Sequence, residues 1–193
     1  QTNCLVPARA TDEPAVDEPA VDEPAVDELA ADEGFNVEKL KEHLGIERIV
    51  TVSVPHSYQS HGIIVDLGDG NTIAYSGDSQ FSNAFDEQAK NCLLMIHEAT
   101  MDDELREDAD LKRHSTISDA IKVARNCQAR FTVLTHFSQR YAKIPLVSGQ
   151  NDEDLNDYIR NNVGIAFDFM KISLKSLSNI GIIKVPLERL FGE

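Results

Sequence analysis

No C-x-x-C pair occurs in this sequence, and its three cysteines, Cys4, Cys92 and Cys127, are odd in number and far apart. That argues against a disulfide framework or a cysteine zinc knuckle and predicts a reducing, intracellular setting. No apolar run approaches the roughly 20 residues that cross a bilayer, so no membrane partner is expected. The N-terminus also lacks the basic and then apolar regions of a secretory signal. It opens on Gln1 rather than Met, which suggests a fragment or a processed product. The chain of 193 residues is nonetheless long enough for one domain with a core.

Basic residues are scarce: Lys and Arg number 18 against 33 Asp and Glu, for a formal charge of −15. Taken whole, that balance disfavours a nucleic-acid partner. Ten of the acidic residues, however, fall in DEPAVDEPAVDEPAVDELAADE, residues 12 to 33, and setting them aside leaves −5 for the remainder. A proline every fifth residue blocks a continuous helix, and valine and alanine alone cannot bury enough surface to offset chain entropy. Residues 1–34 therefore read as a disordered, low-complexity acidic tail. A solvated insert explains it, with a recruitment tail as the alternative.

The ordered part begins near residue 35. NVEKLKEHLG sets Val37, Leu40, Lys41 and Leu44 on one helical stripe, with Asn36 as N-cap and Gly45 as the stop. ERIVTVSV predicts a strand leading to Pro55-His56; GIIVDL and NTIAYS predict a hairpin across GDG. A polar helix around residues 81–90, the strand CLLMI and an acidic helical stretch follow. In RHSTISDAIKVARNC, Ser115 or Thr116 can cap a helix, with Ser118 or Asp119 closing a capping box. RFTVLT is the next strand, LNDYIRNN a helix, and VGIAFDFMKISL the last strand. Alternating strands and helices give an α/β layered fold, and the hairpin makes the sheet partly antiparallel.

Four strands lead to a metal ligand or acid–base group: His56, Asp78, the His97-Glu98 pair and His136. Such residues can converge at one sheet edge, and imidazole nitrogen and carboxylate oxygen are donors that zinc accepts. Each has a plainer reading. Asp78 could cap the following helix, His97-Glu98 could be a structural pair, His114 could sit idle at a helix start, and His43 and His61 read as surface residues.

The blocks SGDS, LLMIHEAT, KRHSTISDA, LTHFSQRYAKIP and GIAFDFM, in that order, resemble ribonuclease Z (tRNase Z), in particular the C-terminal part of its long eukaryotic form. The resemblance covers residues 45 to about 175. It implies that residues 35–193 are the C-terminal part of a metallo-β-lactamase-like αβ/βα sandwich behind the acidic tail. The family removes the 3′ trailer from precursor tRNA with two zinc ions. The resemblance puts His56 on one zinc, Asp78 on the bridge between both and His136 on the second; Gly62 also matches. Glu98 is implied to orient His114, which protonates the leaving oxygen. Ser138, Arg140 and Lys143 behind His136 are then candidate RNA contacts. The long form implies nucleus and mitochondrion.

One block of that family is absent. H-x-H-x-D-H would lie upstream of His56, and no two histidines stand two apart in this chain. With His56, Asp78 and His136 alone, each of two zinc ions has about two protein ligands, against three for a usual catalytic zinc. The chain by itself is thus expected to bind zinc poorly and to be inactive, with an N-terminal portion of the enzyme as its partner. A binding-only relative, or a hydrolase of the same superfamily with another substrate, are the alternatives.

Overall fold

The computed structural model describes residues 37–138 and 152–181. The acidic tail, Asn36, Arg140 and Lys143 lie outside them. The order is α1 (Val37–Leu44), β1 (Arg48–Ser53), β2 (His61–Asp66), β3 (Thr72–Tyr75), α2 (Asn83–Gln88), β4 (Leu94–Glu98), α3 (Arg106–Lys112), α4 (Ile117–Asn126), β5 (Phe131–Thr135), α5 (Glu153–Asn162) and β6 (Val163–Ile165). Short 3₁₀ helices stand at Asp103–Leu105 and Leu174–Asn179. The six strands form one mixed α/β sheet in sequence order.

The sheet changes direction in its middle. β1–β2 and β2–β3 are antiparallel, whereas β3–β4, β4–β5 and β5–β6 are parallel. β1 consequently runs the same way as β3, and β1, β3, β4 and β5 all point their C-terminal ends at one edge. That topology, rather than sequence proximity, is what brings distant residues together.

Period-2 alternation fixes the register where one face is packed. Val50, Val52, Ile64, Ala74 and Met95 pack under α2 and α4, against Phe85, Ala89, Val123 and Ala124. Leu134 and Val163 continue this layer under Ile117, Ile121 and Ile159. Across the sheet, Leu94, Phe131 and Val133 meet Leu177 and Ile180. Each large apolar side chain so buried contributes about 1.5–3 kcal/mol. Gly62 sits tightly under α2: a Cβ there would lie 2.7 Å from Phe85 Cδ2 and 3.0 Å from the Tyr75 carbonyl oxygen.

α4 begins where the capping pattern predicts. Thr116 is its N-cap, with Asp119 closing the box. Arg106 grips both Asp119 oxygens at 2.9 Å and gives another bond to Thr116 Oγ1 at 3.0 Å. Burial pushes the Asp119 carboxyl up, but the bonds from Arg106 and Thr116 outweigh it and hold the group below its usual value.

Two expectations need correction. The last strand stops at Ile165 instead of running through Leu174. Beyond it the chain turns, with Met170 N–H donating to the Phe167 carbonyl and Phe169 at φ +64° and fully exposed. Phe167 and Ile172 then pack on the core from irregular backbone. Secondly, Ser82 caps α2, accepting from Phe85 N–H, so capping does not account for Asp78.

Cys92 and Cys127 are free and buried. Burial pushes the Cys92 thiol up to about 11; burial first, and then the nearby Asp86, pushes Cys127 up to about 12. Among the described residues no helix is long and apolar enough to cross a membrane.

Candidate metal centre

Three of the converging strand ends deliver their groups just past the last paired residue. His56 lies three residues beyond β1, Asp78 three beyond β3, and His136 directly after β5. Glu98 is the final residue of β4. His114 arrives from the other direction, between the left-handed turn at Arg113 (φ +57°) that closes α3 and the Thr116 cap of α4.

Asp78 occupies the middle. One carboxylate oxygen, Oδ2, stands 3.9 Å from His56 Nε2, and the other, Oδ1, 3.5 Å from His136 Nδ1. A carboxylate whose two oxygens face two different imidazoles has the form needed to join two cations. His56 is held from behind: its Nδ1 lies 3.0 Å from the Arg113 carbonyl, and the Arg113 guanidinium donates back to the His56 carbonyl at 3.1 Å. That bond keeps a proton on Nδ1 and leaves Nε2, the nitrogen facing Asp78, as a free donor atom.

Glu98 is 1 % exposed and accepts on both oxygens. Oε1 takes Ser79 N–H at 3.0 Å, Ser115 N–H at 3.1 Å and His114 Nδ1 at 2.8 Å. Oε2 takes the Thr100 N–H at 2.9 Å and its hydroxyl at 2.6 Å. Five donors satisfy a buried carboxylate fully. Glu98, His114 and His136 are close enough to form a cation cage, yet Glu98 has no lone pair to spare. Its geometry is that of an orienting group for His114. The set His56, Asp78 and His114 also lies within ligand range, and its members are only half-buried. The rings of His56, His114 and His136 form a row, with centroids 4.6 Å and 5.5 Å apart.

His97 separates from Glu98. It points to the opposite side of β4, 2 % exposed against Phe85, with Nδ1 donating to the Glu98 carbonyl at 2.7 Å. Burial lowers its affinity for a proton, against the opposing pull of the Glu98 carbonyl bond. His43 and His61 are exposed, and His61 Nδ1 bonds locally to the Gln59 carbonyl at 2.8 Å.

His136 sits at φ +61°, a left-handed conformation that costs a non-glycine residue roughly 1 kcal/mol. Its ring lies 3.5 Å from Asp78, and it also lines a cleft of about 620 Å³ with Thr135, Phe137, Ala166, Phe167 and Asp168. Ser138, half-buried, donates its N–H to the Thr100 carbonyl at 3.0 Å. Arg140 and Lys143 lie outside the described residues. Ser79, Thr100, Arg113 and Ser115 are parts of this site that pattern reading did not single out. Their contributions are mostly backbone groups, which carry no signature of residue type.

Imidazole and carboxylate are the right donors for zinc, and the bridge-like placement of Asp78 fits a two-ion site. The count is short: with Asp78 shared, two ions would find two protein donors each among His56, Asp78 and His136.

Comparison with known proteins adds a lineage. The family model described as a beta-lactamase superfamily domain matches residues 6–137. The mitochondrial ribonuclease Z of Drosophila melanogaster is 40% identical over 157 residues, covering 79% of this chain and 20% of that protein. Zinc phosphodiesterase ELAC protein 2 of Mus musculus is 39% identical over 156 residues, covering 81% of this chain and 18% of its own. The crystal structure of a long form RNase Z from yeast superposes with a TM-score of 0.67 at 32% identity, over 80% of this chain and 21% of the yeast one. Human tRNase Z, short form, gives 0.52 at 31% identity, over 65% and 42%. The chain thus spans about a fifth of the length of the curated relatives it matches.

Proposed function

The chain belongs to the beta-lactamase superfamily, where it is similar to ribonuclease Z, and from that premise we propose that it is the C-terminal part of a zinc-dependent endonuclease that removes the 3′ trailer of precursor tRNA. The observation that carries this reading is the Asp78 carboxylate facing two histidines beside a third, His114, held by a buried glutamate. His56, Asp78 and His136 are the residues that would hold zinc, with Asp78 shared between two ions. When bound, the ions supply a nucleophile near neutral pH and positive charge against the phosphodiester oxygens.

His114 performs the proton step. Glu98 fixes a proton on its Nδ1 and orients the ring, so that the Nε2–H of the imidazolium can pass its proton to the leaving oxygen, leaving the neutral Nδ1–H form. Thr116 and Arg106 anchor the start of α4 just behind it. Ser138, Arg140 and Lys143 are assigned to RNA backbone contacts, where hydroxyl and cationic groups meet phosphate. Precursor tRNA and the N-terminal portion of the enzyme, carrying the further zinc ligands, are the partners. The fly relative's name supports a mitochondrial location; the nuclear location rests on the resemblance to long forms.

The test is cleavage of a 3′-extended precursor tRNA by this chain assembled with a portion that carries the H-x-H-x-D-H block. Cleavage at the trailer junction is expected, and His114→Ala is expected to slow it about 10²–10⁴-fold. An assembled enzyme that leaves precursor tRNA intact but hydrolyses another phosphodiester would move the chain to a different substrate class.

A further inference from the structure

The Thr100 hydroxyl stands among three groups of the site: Glu98 Oε2 at 2.6 Å, His136 Nδ1 at 2.7 Å and His114 Nδ1 at 3.3 Å. A hydroxyl owns one proton. Four N–H groups, from Ser79, Thr100, Ser115 and His114, already converge on the two Glu98 oxygens, which makes this carboxylate an acceptor on both. The short Thr100–Glu98 bond therefore carries the hydroxyl proton. The hydroxyl oxygen is left to accept, and its nearest remaining donor is His136 Nδ1–H. An imidazole with its proton on Nδ1 has its lone pair on Nε2.

We propose that Thr100 is a positioning residue that relays the orienting effect of Glu98 to His136, holding His136 as its Nδ1–H tautomer and so assigning Nε2 as its metal-ligating nitrogen. This rests on the reading of His136 as a zinc ligand. One buried carboxylate then orients two histidines, His114 directly and His136 through a hydroxyl. His56 is set independently by the Arg113 carbonyl. The need for such a relay is physical: the His136 side chain is 48% exposed on a left-handed backbone, so little packing restrains its ring. Outer partners of this kind fix the tautomer and orientation of a ligating histidine. Nδ1 is also the ring nitrogen nearest Asp78, 3.5 Å from Oδ1, so ligation through it would require breaking the Thr100 bond, and an ion on Nε2 would share Asp78 only if the carboxylate turned away from Nδ1.

The experiment follows the histidine nitrogens of the full chain, labelled with ¹⁵N, by long-range proton–nitrogen correlation without zinc at about pH 8, where an ordinary imidazole is neutral. His136 is expected as the Nδ1–H tautomer. Thr100→Val keeps the shape and the backbone bond to Glu98 but removes the hydroxyl; it should turn His136 into a tautomer mixture and weaken zinc binding about 10–100-fold. Thr100→Ser should restore both. A native His136 in the Nε2–H form overturns the proposal, as does a Thr100→Val chain that binds zinc like the native one. If Thr100→Val does not fold, the tautomer in the native and Thr100→Ser chains decides. A residue needed only for packing would leave the tautomer unmoved. Neither readout involves RNA, so a failure of the nuclease reading is seen separately.

Discussion

Glu98→Ala is expected to abolish cooperative folding of the chain, or nearly so. Its carboxylate is 1 % exposed and satisfies five donors from Ser79, Thr100, Ser115 and His114. Removing it strands backbone N–H groups where water does not reach, and each such orphan costs about 1–3 kcal/mol. The costs are not strictly additive, but a total on the order of 5 kcal/mol equals much of a domain's 5–15 kcal/mol stability. Glu98→Gln keeps the volume while presenting an NH₂ to groups that are themselves donors, so it should cost about 3 kcal/mol. Urea unfolding followed by circular dichroism checks both. A Glu98→Ala chain with a native midpoint would mean that the loops around Ser79, Thr100 and Ser115 are held by something other than this carboxylate.

Asp78→Ala should do the opposite, sparing the fold and destroying the metal centre. The Asp78 side chain is 36% exposed, and its neighbours in reach are the imidazoles of His56, His136 and His114. It caps no helix, since Ser82 has that task. Stability should change by less than about 1 kcal/mol, the range of substitutions away from buried networks. Zinc uptake at both positions should fall together, because one carboxylate serves both histidines. In the assembled enzyme the single-turnover rate should drop about 10³-fold or more, equivalent to about 4 kcal/mol of transition-state stabilisation. If only one of two zinc ions is lost, Asp78 is a terminal ligand and not a bridge.

The pair of substitutions separates two roles that look alike in sequence, where both residues are simply carboxylates at strand ends. The strand ends themselves were legible: each follows a β-rich run, and sharing one edge follows once β1, β3, β4 and β5 run the same way. α4 was legible as well, because Thr116 and Asp119 have side-chain chemistry specific to a helix start. The orientations of His97 and Glu98 were not. β4 is covered on both faces, so its pattern is nearly continuous apolar rather than alternating, and nothing local says which neighbour faces the site. The hold on His56 was hidden because a backbone carbonyl, that of Arg113, supplies it. The overlong reading of the last strand had a different cause: Phe167 and Ile172 are half-buried from irregular chain, and apolar residues there mimic strand periodicity.

The most direct measurement is the number of zinc ions bound by the purified chain alone, by competition titration against a chelator of known affinity, compared with the same chain assembled with a portion carrying the H-x-H-x-D-H block. The expected result is only weak binding by the chain alone and two tightly held ions after assembly, because His56, Asp78 and His136 would give each ion two protein donors where a catalytic zinc uses three. Two tightly bound ions on the chain alone, unaffected by Asp78→Ala, would contradict it.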